Sequence, residues 1–310
     1  MKINGKEIKI SNEDKIFFPD SGITKGDLIT YYQKVADIII HHIKDYAINM
    51  QRFPDGLKGE SFYNKDTPDY FPKWIKRIKF PKKEGGSFQA PVIDNKAGLI
   101  YIANQAVITP HLYLAPYDQL GYPDKMIYDL DPPEGTENFD AVRQGALDVH
   151  DTLEELGLVS WIQTTGSKGF HIIISLDGSA KFEKVRKFAQ KIALLLVRRY
   201  PDKYTLQELK KKRKGRVFID TLRNSYGASA VSPYAVRARK NAPVATPLNW
   251  SEVKNGASPR DWTLKNIPER MEKQDDPWSK IKRYTYKLSS HKKKLHDLLE
   301  KEDPAEEESA

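Results

Sequence analysis

Between Leu28 and Ile43 the apolar residues fall at Leu28, Tyr31, Tyr32, Val35, Ile38, Ile39 and Ile43, a spacing of threes and fours that draws one stripe along a helix. TKGD places a hydroxyl at Thr24 and an acid at Asp27, the spacing of a capping box, so the helix is expected to open at Thr24. Aromatics and prolines then mix in RFPDG, SFYNK and DYFPKW, followed by strand-like runs around APVID and LIYIAN. In MIYDLDPP (126–133) the period becomes two: Met126, Tyr128 and Leu130 point one way, Ile127, Asp129 and Asp131 the other. Pro132 and Pro133 have no N–H for a ladder, so the strand ends there with both carboxylates near its open end. A helix is expected from about Asn138 to Leu156, stopped by Gly157. Strands VSWIQTT and FHIIISL follow, joined by a tight turn at GSKG. A second amphipathic helix, Lys181 to Arg199, should bury Val185, Phe188, Ile192, Leu195 and Leu196. After the basic KKKRKG comes the strand RVFID, and from Pro243 onward loops and short helices. There is no internal repeat and no regular βαβ rhythm. The pattern predicts a mixed α/β fold with a central, largely antiparallel sheet flanked by helices.

Composition narrows the class. The chain has 310 residues, 39% of them hydrophobic, and no apolar run of membrane-spanning length, which predicts a globular protein without a membrane partner. MKINGKEIKI alternates polar and apolar residues, unlike a signal peptide, and there are no cysteines; a cytoplasmic location is expected. The formal charge of +9 is uneven. KKKRKGR (210–216) and HKKK (291–294) are basic, whereas EKEDPAEEES is acidic, so the body suits a polyanionic partner. The expected organisation is one domain over 1–295, with an N-terminal part of about 1–85 packed on its core, and a disordered acidic tail over 296–310.

Asp129 and Asp131 alone would fit a strand end that caps turns or binds a structural cation. Asp220, at the end of the RVFID strand, changes the balance. Three carboxylates at strand ends can hold two divalent cations at the roughly 3.5–4 Å spacing of phosphoryl-transfer sites. Hard oxygens and the lack of thiolates point to magnesium or manganese, not zinc. In TTGSKGFHI (164–172), Gly166 and Gly169 permit a tight turn, Thr165 and Ser167 add hydroxyls and Lys168 adds charge, a set suited to a triphosphate although too short for a Walker loop. His171 opens the next strand, close enough to such a cradle to donate to a phosphate. Lys25, in the first turn of its helix, reads on this feature alone as a solvated surface lysine, while free N–H groups beside it would equally suit a phosphate seat.

Taken in order, DLDP, then S-K-G-x-H, then an apolar strand ending in aspartate resemble the three motifs of the archaeo-eukaryotic primase superfamily. More narrowly, NEDKIFFP, TKGDLITYY, RFPDG, SFYNK, DLDPPEG, TTGSKGFH, VFIDTLRN and SPYAVRAR are similar to the polymerase domain of bacterial non-homologous end-joining DNA ligase D, over nearly all the chain to about residue 265. The resemblance implies that Asp129, Asp131 and Asp220 ligate two ions, Mn2+ or Mg2+. It implies that Thr165, Lys168, His171, Ser229 and Arg237 hold the phosphates of an incoming NTP or dNTP, Thr165 standing where serine is common. Asn12, Lys15 and Lys25 match a pocket for the 5′-phosphate across a DNA gap or break. Phe62, Tyr63 and Arg52 match contacts to template DNA, and Arg213 and His111 fall on family positions near the active site, Arg213 being grouped with the DNA contacts. The implied activity is template-directed nucleotidyl transfer at gapped or broken DNA ends in non-homologous end joining, with ribonucleotides and manganese favoured. As a stand-alone chain in the nucleoid it would recruit Ku and a separate ligase in trans. The competing readings are a primase that initiates strands, a three-carboxylate nuclease, and a non-catalytic DNA-end-binding protein. The last leaves a concentration of acids facing DNA without a purpose.

Overall fold

A computed structural model of the chain describes residues 1–133, 135 and 139–302. The stripe that starts at Thr24 forms α1 (Lys25–Lys34), closed at its start by the expected capping box between Thr24 and Asp27. It does not continue as one helix. At Val35 the backbone leaves helical geometry (φ −93°, ψ 4°), and the second half becomes α2 (Ala36–Ile43). The break still lets Tyr31, Tyr32, Ile39 and Ile43 reach a single apolar core. LIYIAN, expected as a strand, is part of helix α3 (Lys96–Asn104), whose first turn is capped by Asn95 accepting from the Gly98 N–H at 3.0 Å. Ala97, Leu99, Ile100, Ile102 and Ala103 are all buried, so no polar face marks the helical period, and periodicity alone cannot tell such a run from a strand.

The strands are largely antiparallel, as expected, and apart from two short two-stranded pairs within residues 2–24 they divide between two large sheets. The first holds β1 (Tyr46–Arg52), β2 (Phe62–Asn64), β3 (Lys76–Pro81), β4 (Ser87–Val92) and β5 (Val107–Pro116). The second holds β6 (Lys125–Asp131), β7 (Trp161–Thr164), β8 (Phe170–Leu176), β9 (Tyr204–Thr205) and β10 (Val217–Asp220). The chain then returns to the first sheet with β11 (Ser229–Val231) and to the second with β12 (Pro247–Leu248) and β13 (Thr285–Tyr286). In the second sheet β6 lies between β8 and β10, antiparallel to both. Its period-two pattern is realised. Met126, Tyr128 and Leu130 pack with α4 (Phe139–Glu155) and α5 (Phe182–Arg199), whereas Ile127 joins Leu114 and Ala230 of the first sheet in a core between the sheets. Asp129 and Asp131 continue the Ile127 face beyond that core. Asn138, the expected start of α4, lies outside the described residues.

A C-terminal segment fastens the two halves together. Trp278 Nε1 donates to the Ile162 carbonyl at 3.0 Å, while Asp276 accepts from the Tyr234 hydroxyl at 2.8 Å and pairs with His42 at 2.7 Å. Further on, helix α6 (Lys292–Lys301) buries Leu295 and Leu298 in the core around α5, so order continues past the boundary expected at 295. Two leucines a turn apart provide an apolar contact that the acidic composition of the last residues masks. The remainder of the expected tail, 303–310, lies outside the described residues. Among the described residues no helix is long and apolar enough to cross a membrane.

Candidate active site

Strand register assembles the polar face of the second sheet. Asp129 stands directly opposite His171 on one side and Asp220 on the other, His171 is opposite Gln163, and Asp131 lies two residues along the same face. One row of four strands therefore presents Gln163, His171, Asp129 and Asp220 together. Like charges directly opposed repel, so the row calls for cations. Burial would push Asp129 up, but His171, with Nε2 3.4 Å from Oδ2, and Arg223 outweigh it and hold the carboxyl well below its usual range. Burial, then Asp129, raises Asp131 to about 6. Burial also raises Asp220, against the pull of the Leu222 N–H on Oδ1 at 2.6 Å.

Two arginines answer the carboxylates. Arg223 reaches Asp129 Oδ2 with Nε at 3.2 Å and Nη2 at 3.1 Å, and its Nη1 donates to the Ser229 carbonyl at 3.1 Å. The sequence reading passed over this residue, although it lies only three positions after Asp220. Next to it, Asn224 is buried and grips β6, accepting from the Ile127 N–H at 2.8 Å and donating to its carbonyl at 2.7 Å. Arg213, grouped with the DNA contacts, is buried instead. Its guanidinium lies over the Phe218 ring at 4.1 Å, donates to the carbonyls of Gln207 and Glu208, and comes within 3.9 Å of Asp131 Oδ2. The apolar face of Phe218, opposite Asp131 in register, draws it inward.

The GSKG turn is locked to this row. A Cβ on Gly169 would lie 1.8 Å from the Leu130 carbonyl oxygen, and one on Gly166, at φ +60°, would lie 2.7 Å from Arg237 Cγ. Both glycines are thus required by close approach of the turn to β6 and to Arg237. Thr165 differs from expectation: its buried hydroxyl donates to the Gly169 carbonyl at 3.0 Å and closes the turn, which leaves the exposed Lys168 and the half-buried Ser167 as the outward groups. Likewise, His171 is held between Asp129 and Gln163, whose Nε2 is 3.3 Å from Nδ1. Arg237 has no ion-pair partner among the described residues, and burial lowers it to about 10. Such a cation is poised for an anion. Opposite, on the first sheet, His111 is buried with no partner for Nε2 among the described residues; burial, and then Arg237 and Arg223, hold it well below its ordinary value, in the neutral form. Asn49, its cross-strand neighbour, donates to Ser229 Oγ at 3.5 Å.

Outside this cleft lie the remaining expected contacts. Phe62 and Tyr63 are exposed, at 46% and 53%, which rules out a core role for the pair. Arg52 lies over the Phe62 ring at 5.5 Å, and Tyr63 meets His111 edge-on at 5.6 Å, linking this surface to the cleft. Asn12 (φ +53°), Lys15 and Lys25 gather around the start of α1. Lys25 is buried, with Nζ 2.5 Å from the Ser11 carbonyl oxygen, and burial followed by Lys15 lowers it; Lys15 pairs with Asp55 at 2.5 Å. The expected free N–H groups are absent. Thr24 and Asp27 satisfy each other, while the amides of Lys25 and Gly26 donate to the carbonyls of Lys15 and Glu13. The chain folds back on the helix start and takes up those donors, so only side chains can hold an anion there.

For a divalent ion, the donor chemistry fits. Asp131 and Asp220 offer hard, electron-rich oxygens, both raised by burial first and then by the Asp129 carboxylate. Among the described residues no three metal-binding side chains converge closely enough to enclose an ion, and Asp129 is turned to Arg223. The unbalanced Asp131 has a measurable consequence. Below pH 3.8 it is protonated whether folded or unfolded; between 3.8 and about 6 the unfolded chain releases its proton first, and above 6 the cost to the fold is complete. With chelator present, Asp131→Asn is therefore expected to melt above the parent at pH 7.5, the gain shrinking to nothing by about pH 4. The 47% exposure of this side chain keeps the gain modest. A gain independent of pH in melting scans would contradict the assignment.

A family model described as LigD, primase-polymerase domain, matches residues 24–278. Bifunctional non-homologous end joining protein LigD of Bacillus subtilis is 30% identical over 275 residues, covering 88% of this chain and 44% of that protein. Multifunctional non-homologous end joining protein LigD of Pseudomonas aeruginosa is 29% identical over 274 residues, 88% of this chain and 32% of the relative. The chain thus spans less than half the length of these curated relatives. The polymerase domain of Mycobacterium tuberculosis ligase D, solved in complex with DNA, matches with a TM-score of 0.83 at 28% identity, covering 90% of this chain and 99% of that one.

Proposed function

Because the chain belongs to the family of LigD primase-polymerase domains, we propose that it is a DNA-directed nucleotidyltransferase that fills gaps and extends ends during non-homologous end joining. The observation that supports this most is the row in which Asp129 faces Asp220, with Asp131 beside them and Arg237, half-buried and without an ion-pair partner among the described residues, within electrostatic reach of Asp129. Asp129, Asp131 and Asp220 would hold two divalent ions, Mn2+ or Mg2+. Bound there, such ions supply positive charge to the attacking hydroxyl and to the triphosphate. The chain's own groups do the rest. Arg237 and Lys168 bind and orient the triphosphate, Ser167 and Ser229 offer hydroxyls at its edges, and Thr165 keeps the turn closed. His171 steadies Asp129, while the neutral His111 offers an uncharged polar edge to the nucleotide. Phe62, Tyr63 and Arg52 give a template strand aromatic faces and charge. Asn12, Lys15 and Lys25 form the 5′-phosphate pocket. Cellular DNA, NTPs or dNTPs, Ku and a DNA ligase are the partners this reading implies, with the nucleoid as its place of work.

Incubation with a gapped, 5′-phosphorylated duplex, labelled nucleotides and manganese tests the reading. Extended primers are expected; products made without a primer would favour a primase, shortened strands a nuclease, and unchanged strands held in a complex a binding protein. Arg237→Ala and Lys168→Ala should each weaken nucleotide use by about 1.5–3 kcal/mol, the worth of a charge-assisted hydrogen bond, without altering affinity for the primer-template. Unchanged nucleotide dependence in both variants would remove them from the triphosphate site.

A further inference from the structure

The carboxylate row carries cations of its own, and they are not equally fixed. Arg213 is only 7% exposed and is tied down by two backbone carbonyls and an aromatic ring. Arg223 is 40% exposed, and its two contacts with Asp129 converge on the single oxygen Oδ2. Asn224 anchors the backbone beside it through Ile127, so the guanidinium can swing away without disturbing the loop. We propose that Arg223 is an exchangeable counter-ion, which occupies Asp129 until a divalent ion displaces it and so sets the metal affinity of the resting protein. The proposal rests on the metal-site reading above.

Electrostatics argue for exchange over a permanent clamp. A guanidinium and a divalent cation on one carboxylate oxygen repel at close range, so binding of one opposes the other. Without any cation Asp129 would face Asp220 directly, so the guanidinium also protects the empty site from its own repulsion. The single tie from Nη1 to the Ser229 carbonyl gives the side chain a second foothold on the first sheet when it leaves the aspartate.

Manganese titration of the whole protein, without DNA or nucleotide, tests this by following free Mn2+ through its paramagnetic resonance signal. Arg223→Gln is expected to bind Mn2+ at least about tenfold more tightly than the parent, since an opposite charge at this distance is worth one or more decades of equilibrium. A purely structural residue would give no gain on removal. Arg223→Lys retains the charge without the two-pronged grip and is expected to lie between the two; it carries the same test should the glutamine variant unfold. Equal or weaker Mn2+ affinity in a folded variant, with binding still removed by Asp131→Ala, would make Arg223 a fixed clamp and overturn the proposal. If no protein in the set binds Mn2+ in a way that Asp131→Ala abolishes, the metal-site reading itself fails and takes the exchange with it.

Discussion

Asp131→Ala is expected to lose nucleotide addition by about a thousandfold or more in manganese, while melting no lower than the parent in chelator. Loss of a ligand to a catalytic ion removes several kcal/mol of charge stabilisation, and each 1.4 kcal/mol is about a decade in rate. The fold should not suffer, because Asp131 is half exposed, its nearest ion-pair partner among the described residues is Arg213 at 3.9 Å, and the Asp129 and Asp220 carboxylates repel it. Asp129→Ala should be equally inactive but a poorer probe, since it strips Arg223 and His171 of their shared partner. Single-turnover rates on an open primer-template, with binding to the same DNA measured alongside, separate chemistry from affinity. A folded Asp131→Ala protein that extends primers at a rate near the parent's would remove this carboxylate from catalysis.

The second large effect concerns the downstream end. The parent is expected to bind and fill a gap ending in a 5′-phosphate better than one ending in a 5′-hydroxyl, by a factor of roughly ten to a hundred. That corresponds to one charge-assisted contact of about 1.5–3 kcal/mol. Lys15→Ala combined with Lys25→Met should erase the preference and spare extension of an open primer-template. Methionine keeps the buried stem of Lys25 packed, which matters because this side chain is almost fully enclosed. The helix start contributes no spare amides, so the discrimination must come from the two ammonium groups and Asn12, and it should fall steeply with salt. Equal affinity of the parent for the two gaps would sink the pocket and favour a strand-initiating enzyme. Equal weakening on both gaps in the double variant would reduce the lysines to general phosphate attraction.

What could be read from the chain beforehand follows the range of each interaction. Asp129 and Asp131 were legible because a strand alternates strictly and two prolines end it; both are local facts. Asp220 was visible as the close of an apolar run, but its placement opposite Asp129 depends on register between strands about ninety positions apart in sequence. Arg223 escaped because a polar loop residue has no period, and its meaning lies wholly in what it touches. Burial decides other departures. Thr165 had a hydroxyl of the right kind, yet a buried hydroxyl takes the nearest carbonyl, here Gly169. Arg213 came from a run of surface-like charges but had an aromatic ring within reach. The amides at the start of α1 were counted as free because the returning backbone of Glu13 and Lys15 is a tertiary contact.

The fastening of Asp276 to His42 and Tyr234 also sets a timetable. His42 and Asp276 are 234 positions apart, which at about 5–20 residues per second means that on the order of 10–50 s of synthesis separates them. Throughout that interval the α2 edge can fold its own apolar core but lacks its carboxylate partner, and the Trp278 anchor on the second sheet does not yet exist. A ribosome that stalls between Tyr234 and Asp276 therefore holds out a chain whose second sheet still lacks β13 and whose bolt to the first is missing, the form in which a protease or chaperone would meet it.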